Sequence, residues 1–409
     1  SKNESKCNNI RSPFGECELS LHQNNIEAMR KALIMLPLAI MATACTSKPQ
    51  TLKDALEGKF LIGTAVNESQ IRGIDAKSDS IIFRHFNAIE PENCLKSAEL
   101  QPEKGVFQWE LADKYVEFGE KHDLAVYGHC LVWHSQLPAW FCKNEDGTDV
   151  SPDELKARMK DHIYTVVGRY KGRIKGWDVV NEAINDDGSW RQSAFYRILG
   201  EEFIPLAFQY AHEADPDCEL YYNDYNMHCE GKISTVIKMV KELRRRGLRI
   251  DAVGFQGHFG MDYPDVKQLE KNIGDVYACG VGVMFTELDM SILPTITMTA
   301  DLAGVPFSEI RKDPELSRKL DAIMVPYPDG IPQEAYDKWN ERAEMFWDMF
   351  LRQHDKIRRI NVWGVQDGDS WKNGFPVRRE GRIDAPLLFD RSFRQKPVVD
   401  WIIANADKY

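Results

Sequence analysis

The sequence predicts an α/β fold, a single (β/α)8 TIM barrel, and three observations carry that expectation. From Phe60 onward, short apolar, β-branched runs alternate with longer amphipathic segments. That alternation is the mark of parallel βαβ units. Eight such units spread over about 340 residues match the size of a barrel. Polar and ionisable residues also gather just where the expected strands end, and in a barrel those ends meet on one face.

The eight expected strands are Phe60–Val66, Ile81–Asn87, Leu124–Cys130, Ile174–Val180, Glu219–Asn223, Ala252–Gln256, Val281–Glu287 and Ile360–Gly364. Helical stretches lie between them. The clearest runs from Gln333 to Gln353, where Tyr336, Trp339, Ala343, Phe346, Trp347 and Phe350 recur at helical spacing. These aromatics read as core rather than as ligand contacts. A doubly wound open sheet is the alternative, and it needs a glycine-rich phosphate turn after the first strand. Gly63-Thr64-Ala65-Val66-Asn67 lacks that turn. Gly254, Gly257 and Gly260 match the glycine spacing weakly and are set aside. The stretch from 291 to 333 is long and proline-containing, as functional or mobile loops are.

Composition narrows the function classes. A formal net charge of −11 argues against a nucleic-acid partner, which needs clustered Lys and Arg. It also disfavours anionic membrane surfaces, whereas a neutral substrate fits. Nine cysteines occur without a C-x-x-C pair, so zinc and thioredoxin-like readings have no support. Cys94, Cys130 and Cys142 read as small buried hydrophobes. No metal and no cofactor is expected.

The N-terminal region carries an export signature. Met29-Arg30-Lys31 precedes an apolar run from Ala32 to Ala44 and then Cys45. The run is too short to span a bilayer and reads as a signal peptide. Ala42-Thr43-Ala44-Cys45 looks like a bacterial lipoprotein signal, with Cys45 cleaved, lipidated and left as the mature terminus. The expected organisation is an upstream extension over 1–28, the signal over 29–45, a linker with a helical start over 46–56, and the barrel over 57–409. The product would be exported, lipid-anchored at an outer membrane or cell surface or else periplasmic or secreted. Membrane contact would run only through that lipid, and the protein would act as a monomer.

Two glutamates stand out at strand ends. Glu182 closes Trp177-Asp178-Val179-Val180-Asn181, and Glu287 closes Val283-Met284-Phe285-Thr286. Either alone reads equally well as a salt-bridge partner or helix cap. As a pair on the fourth and seventh strands they favour glycosidic chemistry. That chemistry needs one protonated and one ionised carboxyl facing each other across a sugar bond, and a spacing of about 5–5.5 Å gives retention.

With these residues in place, the chain resembles glycoside hydrolase family 10, the retaining endo-β-1,4-xylanases, from Phe60 to the C-terminus. The matching stretches are Glu90-Pro91-Glu92-Asn93 with Lys96, Gly128 to His134, and Trp177 to Ala183. Tyr222 to Asn226, Gly254 to His258, Thr286 to Asp289, and Trp363 to Asp367 with Ser370-Trp371 follow in order. The resemblance implies hydrolysis of internal bonds of xylan or xylo-oligosaccharides without a cofactor. It makes Glu182 the acid/base and Glu287 the nucleophile. Asn181 would bond the sugar 2-hydroxyl and the nucleophile, while His258 and Asp289 would orient Glu287 and hold it ionised. Gln256, His129 and Asn223 would support the sugar beside the scissile bond, with Glu92, Asn93 and Lys96 gripping the next one. Trp133, Trp363 and Trp371 would wall the groove, and Gln136 and Tyr225 complete the substrate-binding set.

The chain also departs from the family pattern. Ser97 stands where an aromatic is frequent, and Gln366 where Thr is common. Lys372 to Arg382 is basic for a sugar groove, so Arg378, Arg379 and Arg382 are read as candidates for meeting acidic side groups such as glucuronate. Two competing functions are a related glycosidase acting on another β-glycan, and a surface lipoprotein that binds glycan without cutting it. The second has no need of two opposed carboxylates.

Overall fold

The computed structural model describes residues 50–296, 298, 302 and 304–409. The extension over 1–28, the export signal over 29–45 and the first part of the linker lie outside the described residues. The strands are β1 (Leu61–Val66), β2 (Ala88–Pro91), β3 (Ala125–Trp133), β4 (Gly176–Asn181), β5 (Glu219–Asp224), β6 (Ala252–Phe255), β7 (Gly282–Met290) and β8 (Ile357–Val362). Each runs parallel to the next, and β8 pairs back onto β1 with Gly63 opposite Asn361. The sheet therefore closes as a (β/α)8 barrel. A two-residue strand, His258–Phe259, extends it beside the end of β7.

Helices fill the crossovers, and local sequence starts them. Asp75 accepts from the backbone N–H of Ser78 at the head of Ala76–His85. Ser151 does the same for Glu154, with Pro152 in the first turn of Pro152–Arg169. Both are ordinary N-terminal caps. The expected helix over 333–353 is present as Gln333–Arg352, with Trp339, Phe346, Trp347 and Phe350 buried. The main core lies between the strands and this outer ring of helices. A smaller plug of Ala88, Tyr127, Tyr221, Ala252 and Met284 fills the barrel at the N-terminal ends of its strands.

Two expectations are corrected. Ile81–Asn87 is not the second strand: Ile81 and Ile82 lie in the helix Ala76–His85, and the strand follows at Ala88–Pro91. A β-branched pair mimics a strand in sequence, but Ser78, Ile81, Ile82 and His85 share one buried helical face. The barrel also begins earlier than residue 57. Leu52–Ala55 forms a short helix capped by Thr51, and Leu52, Ala55 and Leu56 are buried in the main core.

The stretch from 291 to 333 is not structureless. It carries the helices Phe307–Ile310 and Pro314–Met324. Leu302, Ile310, Leu320 and Met324 form a separate small apolar cluster with Val377, from the loop after β8. Arg382 donates to the Met324 carbonyl at 2.7 Å, and Arg379 pairs with Asp321 at 3.3 Å. These two arginines tie the insertion to the β8 loop, line a cavity together with Arg378 and Trp371, and are less exposed than Arg378. The six cysteines among the described residues are free, and Cys94, Cys130, Cys142 and Cys218 are buried.

Close packing sets one sharp constraint. A Cβ on Gly128 in β3 would lie 2.2 Å from the Trp177 ring of β4. Trp177 is fully buried and cannot step aside. Gly128→Ala is expected to lower stability by about 1–3 kcal/mol through overpacking, read as a lower urea midpoint at unchanged m-value.

Candidate active site

The strand ends that carry the site are irregular in a useful way. The pairing register slips between His129 and Val132 on β3, between Asp178 and Val180 on β4, and between Phe285 and Leu288 where β7 meets β8. Such bulges re-aim the side chains that follow. Glu182 sits one residue past β4 with φ at +57°, a left-handed conformation that side chains seldom adopt. Its surroundings over-determine it. The Glu182 N–H donates to the Asn223 carbonyl at 2.9 Å, and Arg191 Nε donates to the Glu182 carbonyl at 2.8 Å. The next residue is held as well, since the Ala183 N–H donates to the Tyr222 hydroxyl, which donates to Asp224. Lys232 neutralises Asp224 at 2.9 Å, with both side chains fully buried.

The two glutamates belong to one hydrogen-bonded network. Glu182 accepts from Trp133 Nε1 at 2.9 Å and from Gln256 Nε2 at 3.0 Å. Glu287 accepts from Asn223 Nδ2 at 2.9 Å and meets His258 Nε2 at 3.3 Å. Asn181 Oδ1 joins the halves by accepting from Asn223 at 3.1 Å and from Gln256 at 3.3 Å. Thr286 fixes the Asn223 amide by donating to its oxygen at 2.6 Å. One expectation changes here. The amide that bonds Glu287 is Asn223 and not Asn181, because Asn181 turns its oxygen to the neighbouring amides and its nitrogen toward Glu182 at 3.5 Å.

The surroundings of the two carboxyls differ. Glu287 is buried, at 6% exposure. Burial pushes its carboxyl up, but the His258 hydrogen bond and the His258 and Lys96 charges outweigh this, and it stays below the usual range. Burial likewise works against a charged His258. Asp289, at 2.9 Å from Nδ1, and Glu287 reverse that and raise the imidazole to about 9. Asp289 is itself held below its usual range against burial, by His258, Lys372 and the Trp371 indole, whose Nε1 donates at 2.8 Å. The product is a line of alternating charge, Lys372–Asp289–His258–Glu287, that ends on an ionised carboxylate.

The other expected residues fall around this centre. His129 pairs with Asp178 through Nδ1 at 2.9 Å, and its ring meets Trp363 edge-on with centroids 5.5 Å apart. Lys96 is buried and donates to Asn93 at 3.1 Å and to Gln136 at 2.8 Å, 5.0 Å from the Trp133 ring centroid. Glu92 is near this group, and burial raises its carboxyl despite the Lys96 charge. Tyr225 accepts from Arg191 at 2.5 Å and covers Lys232 at 3.8 Å. Sequence reasoning missed Arg191, and it named Thr286 and Lys372 only within longer stretches without giving them a role, because all three act on other side chains. It also gave no role to Asp178, Glu90 or Arg359. Glu90, His129 and Asp178 bring ligand atoms within 4.8 Å of one another, yet the Arg359 guanidinium already provides the positive charge there, 2.7 Å from Glu90.

Because His258 titrates above its ordinary range, the stability it contributes is complete below that range and is lost as pH rises through about 9. Asp289→Asn removes the charge that outweighs burial. It is expected to lower the His258 pKa by at least about one unit, read from the imidazole Cε1–H shift across a pH titration.

Comparison with known proteins agrees with this geometry. Residues 51–405 match the model of glycosyl hydrolase family 10. The chain is 45% identical over 371 residues to endo-1,4-beta-xylanase A of Xylanibacter ruminicola, covering 91% of this chain and 96% of that one. It is 36% identical over 363 residues to an endo-1,4-beta-xylanase of Geobacillus stearothermophilus, covering 88% and 99%. Its fold superposes on a GH10 endoxylanase retrieved from sugarcane soil metagenome with TM-score 0.77 and 40% identity, over 88% and 100% of the two chains. This chain is a glycoside hydrolase and belongs to glycosyl hydrolase family 10.

Proposed function

We propose that the protein is an endo-β-1,4-xylanase that retains anomeric configuration, with Glu287 as nucleophile and Glu182 as acid and then base. The observation that carries the reading is the asymmetry of the pair. Glu287 is buried and kept ionised beside a cationic imidazole, as a nucleophile must be. Glu182 is partly exposed and held by an indole N–H and an amide, close to where a leaving group and then water would pass.

In the first step Glu287 attacks the anomeric carbon while Glu182 gives its proton to the departing glycosidic oxygen. In the second step Glu182 takes a proton from water, which displaces Glu287 and regenerates both groups. Asn181, Asn223 and Gln256 contribute amide groups beside the reacting sugar, and Asn93, Lys96 and Gln136 face the next one. Xylan as substrate is supported by the relatives' names. It is also supported by two similar solved structures, at 30% identity, which hold xylotriose and xylotetraose. Export with a lipid on Cys45 is proposed from the sequence alone.

Digestion of xylo-oligosaccharides followed by proton NMR is expected to show β-anomers first and internal cleavage. Initial α-anomers would overturn retention. Glu287→Ala is expected to lose at least about 10⁴-fold in kcat on xylan, and Glu182→Ala should spare substrates with good leaving groups far more than xylan. Cys45→Ser is expected to move the protein from the membrane to the soluble fraction, and an unchanged distribution would count against the anchor.

A further inference from the structure

Beneath the amide network, and above the apolar plug, lies a layer of ionisable groups that the proposed chemistry leaves unused. Glu90 of β2, Asp178 of β4, and Arg359 and Asn361 of β8 are each no more than 1% exposed. Arg359 Nη1 donates to Glu90 Oε2 at 2.7 Å, and Asn361 Nδ2 donates to the same oxygen at 2.6 Å. Asp178 Oδ2 meets His129 Nδ1 at 2.9 Å. The other oxygen of each acid, Glu90 Oε1 and Asp178 Oδ1, is buried with no hydrogen-bond donor among the described residues, as Arg359 Nε and Asn361 Oδ1 beside them are buried with no partner among those residues.

Two facts about this layer need one explanation. Buried carboxylate oxygens without donors are costly and rare. Two carboxylates facing one guanidinium would also leave an uncompensated charge in the barrel interior. Glu90 and Asp178 each bring a carboxylate oxygen within 4.8 Å of the other, and a proton shared between the two acids resolves both. It gives each oxygen a partner and leaves one carboxylate opposite one guanidinium.

We propose that Glu90 and Asp178 share a single proton, with Glu90 as the carboxylic acid, and that this proton positions the Asp178–His129 pair under the cleft. Burial pushes both acids up, Glu90 to about 8 and Asp178 to about 7, in keeping with a proton retained at neutral pH. The groups facing Glu90 are Arg359 and Asn361 from β8, Asp178 from β4, His129 and Tyr127 from β3, and Tyr115 from the helix Trp109–Lys121. Glu287 acts on Asp178 from above. While the proton is present, Asp178 accepts from His129 Nδ1–H and leaves Nε2 unprotonated. When it departs, two carboxylates repel across one guanidinium, and the His129 ring moves with Asp178. Glu90 is thus a positioning residue, acting on the sugar site through two others.

The role assigned to His129 rests on the proposed function, so the test includes a readout independent of catalysis. Glu90→Gln mimics the protonated acid, since its amide can donate to Asp178 and its carbonyl can accept from Arg359 and Asn361. It is expected to hold kcat/KM on xylan within about threefold of the parent in mildly acidic buffer and to shift the alkaline limb of the profile upward. Glu90→Leu strands Arg359 and is expected to lose at least about tenfold in kcat/KM. Infrared difference spectra between mildly acidic and alkaline buffer should contain a buried carboxylic-acid C=O band that Glu90→Gln removes, whether or not xylan is the substrate. An unmoved alkaline limb or a band that survives Glu90→Gln would overturn the proposal. So would activity lost on exhaustive chelation and restored by a divalent cation, which would make the layer a metal site.

Discussion

The side-chain amide of Asn223 is the contact on which the site depends. It stands between the two halves of the cleft, its nitrogen shared by Glu287 and Asn181 and its oxygen fixed by Thr286. From Asn181 the network passes through Gln256 to Glu182. Residues from β4 and β7 therefore meet at one planar group on β5, and the end of β6 joins through Asn181. A donor already aimed at Glu287, the proposed nucleophile, needs no reorganisation during reaction, which is the main way a preorganised site lowers a barrier. Barrel closure makes this possible, because Asn223 and Glu287 are far apart in sequence and adjacent only once β5, β6 and β7 are paired.

The barrel interior is arranged in layers of rising polarity. Apolar side chains close the bottom, and Arg359 lies over the Tyr127 ring at 3.7 Å as the first charge above them. The acid layer follows, then the amides, then the two glutamates. Charge alternates along the side line as well, from Lys372 to Glu287 through Asp289 and His258. A buried charge persists only where another of opposite sign meets it, and each step along these paths obeys that rule.

Much of this was legible in the sequence, for a definite reason. Strand ends in a barrel converge, so a polar residue closing an apolar run is a spatial statement as well as a chemical one. Asn181-Glu182, Asn223, Gln256 and Glu287 were found that way and do meet. The positive φ at Glu182 and the bulges in β3, β4 and β7 left no mark, since they arise from pairing with neighbouring strands. The swap between Asn181 and Asn223 was hidden too, because two amides differ there only in which way they turn. Ile81 and Ile82 misled because adjacent β-branched residues read as strand until their helical partners Ser78 and His85 are counted. Glu90 lay inside a matching stretch but was given no role, and Arg359 looks like an ordinary surface charge; only closure of β8 onto β1 brings them together.

The insertion between β7 and β8 invites a different thought. It has its own knot of apolar side chains and is riveted to the β8 loop by Arg379 and Arg382, while the barrel beneath keeps a separate core. An appendage built in this way can be trimmed, lengthened or exchanged over evolutionary time with little disturbance to the barrel it is attached to. Variation among descendants of this scaffold has a ready place to accumulate there.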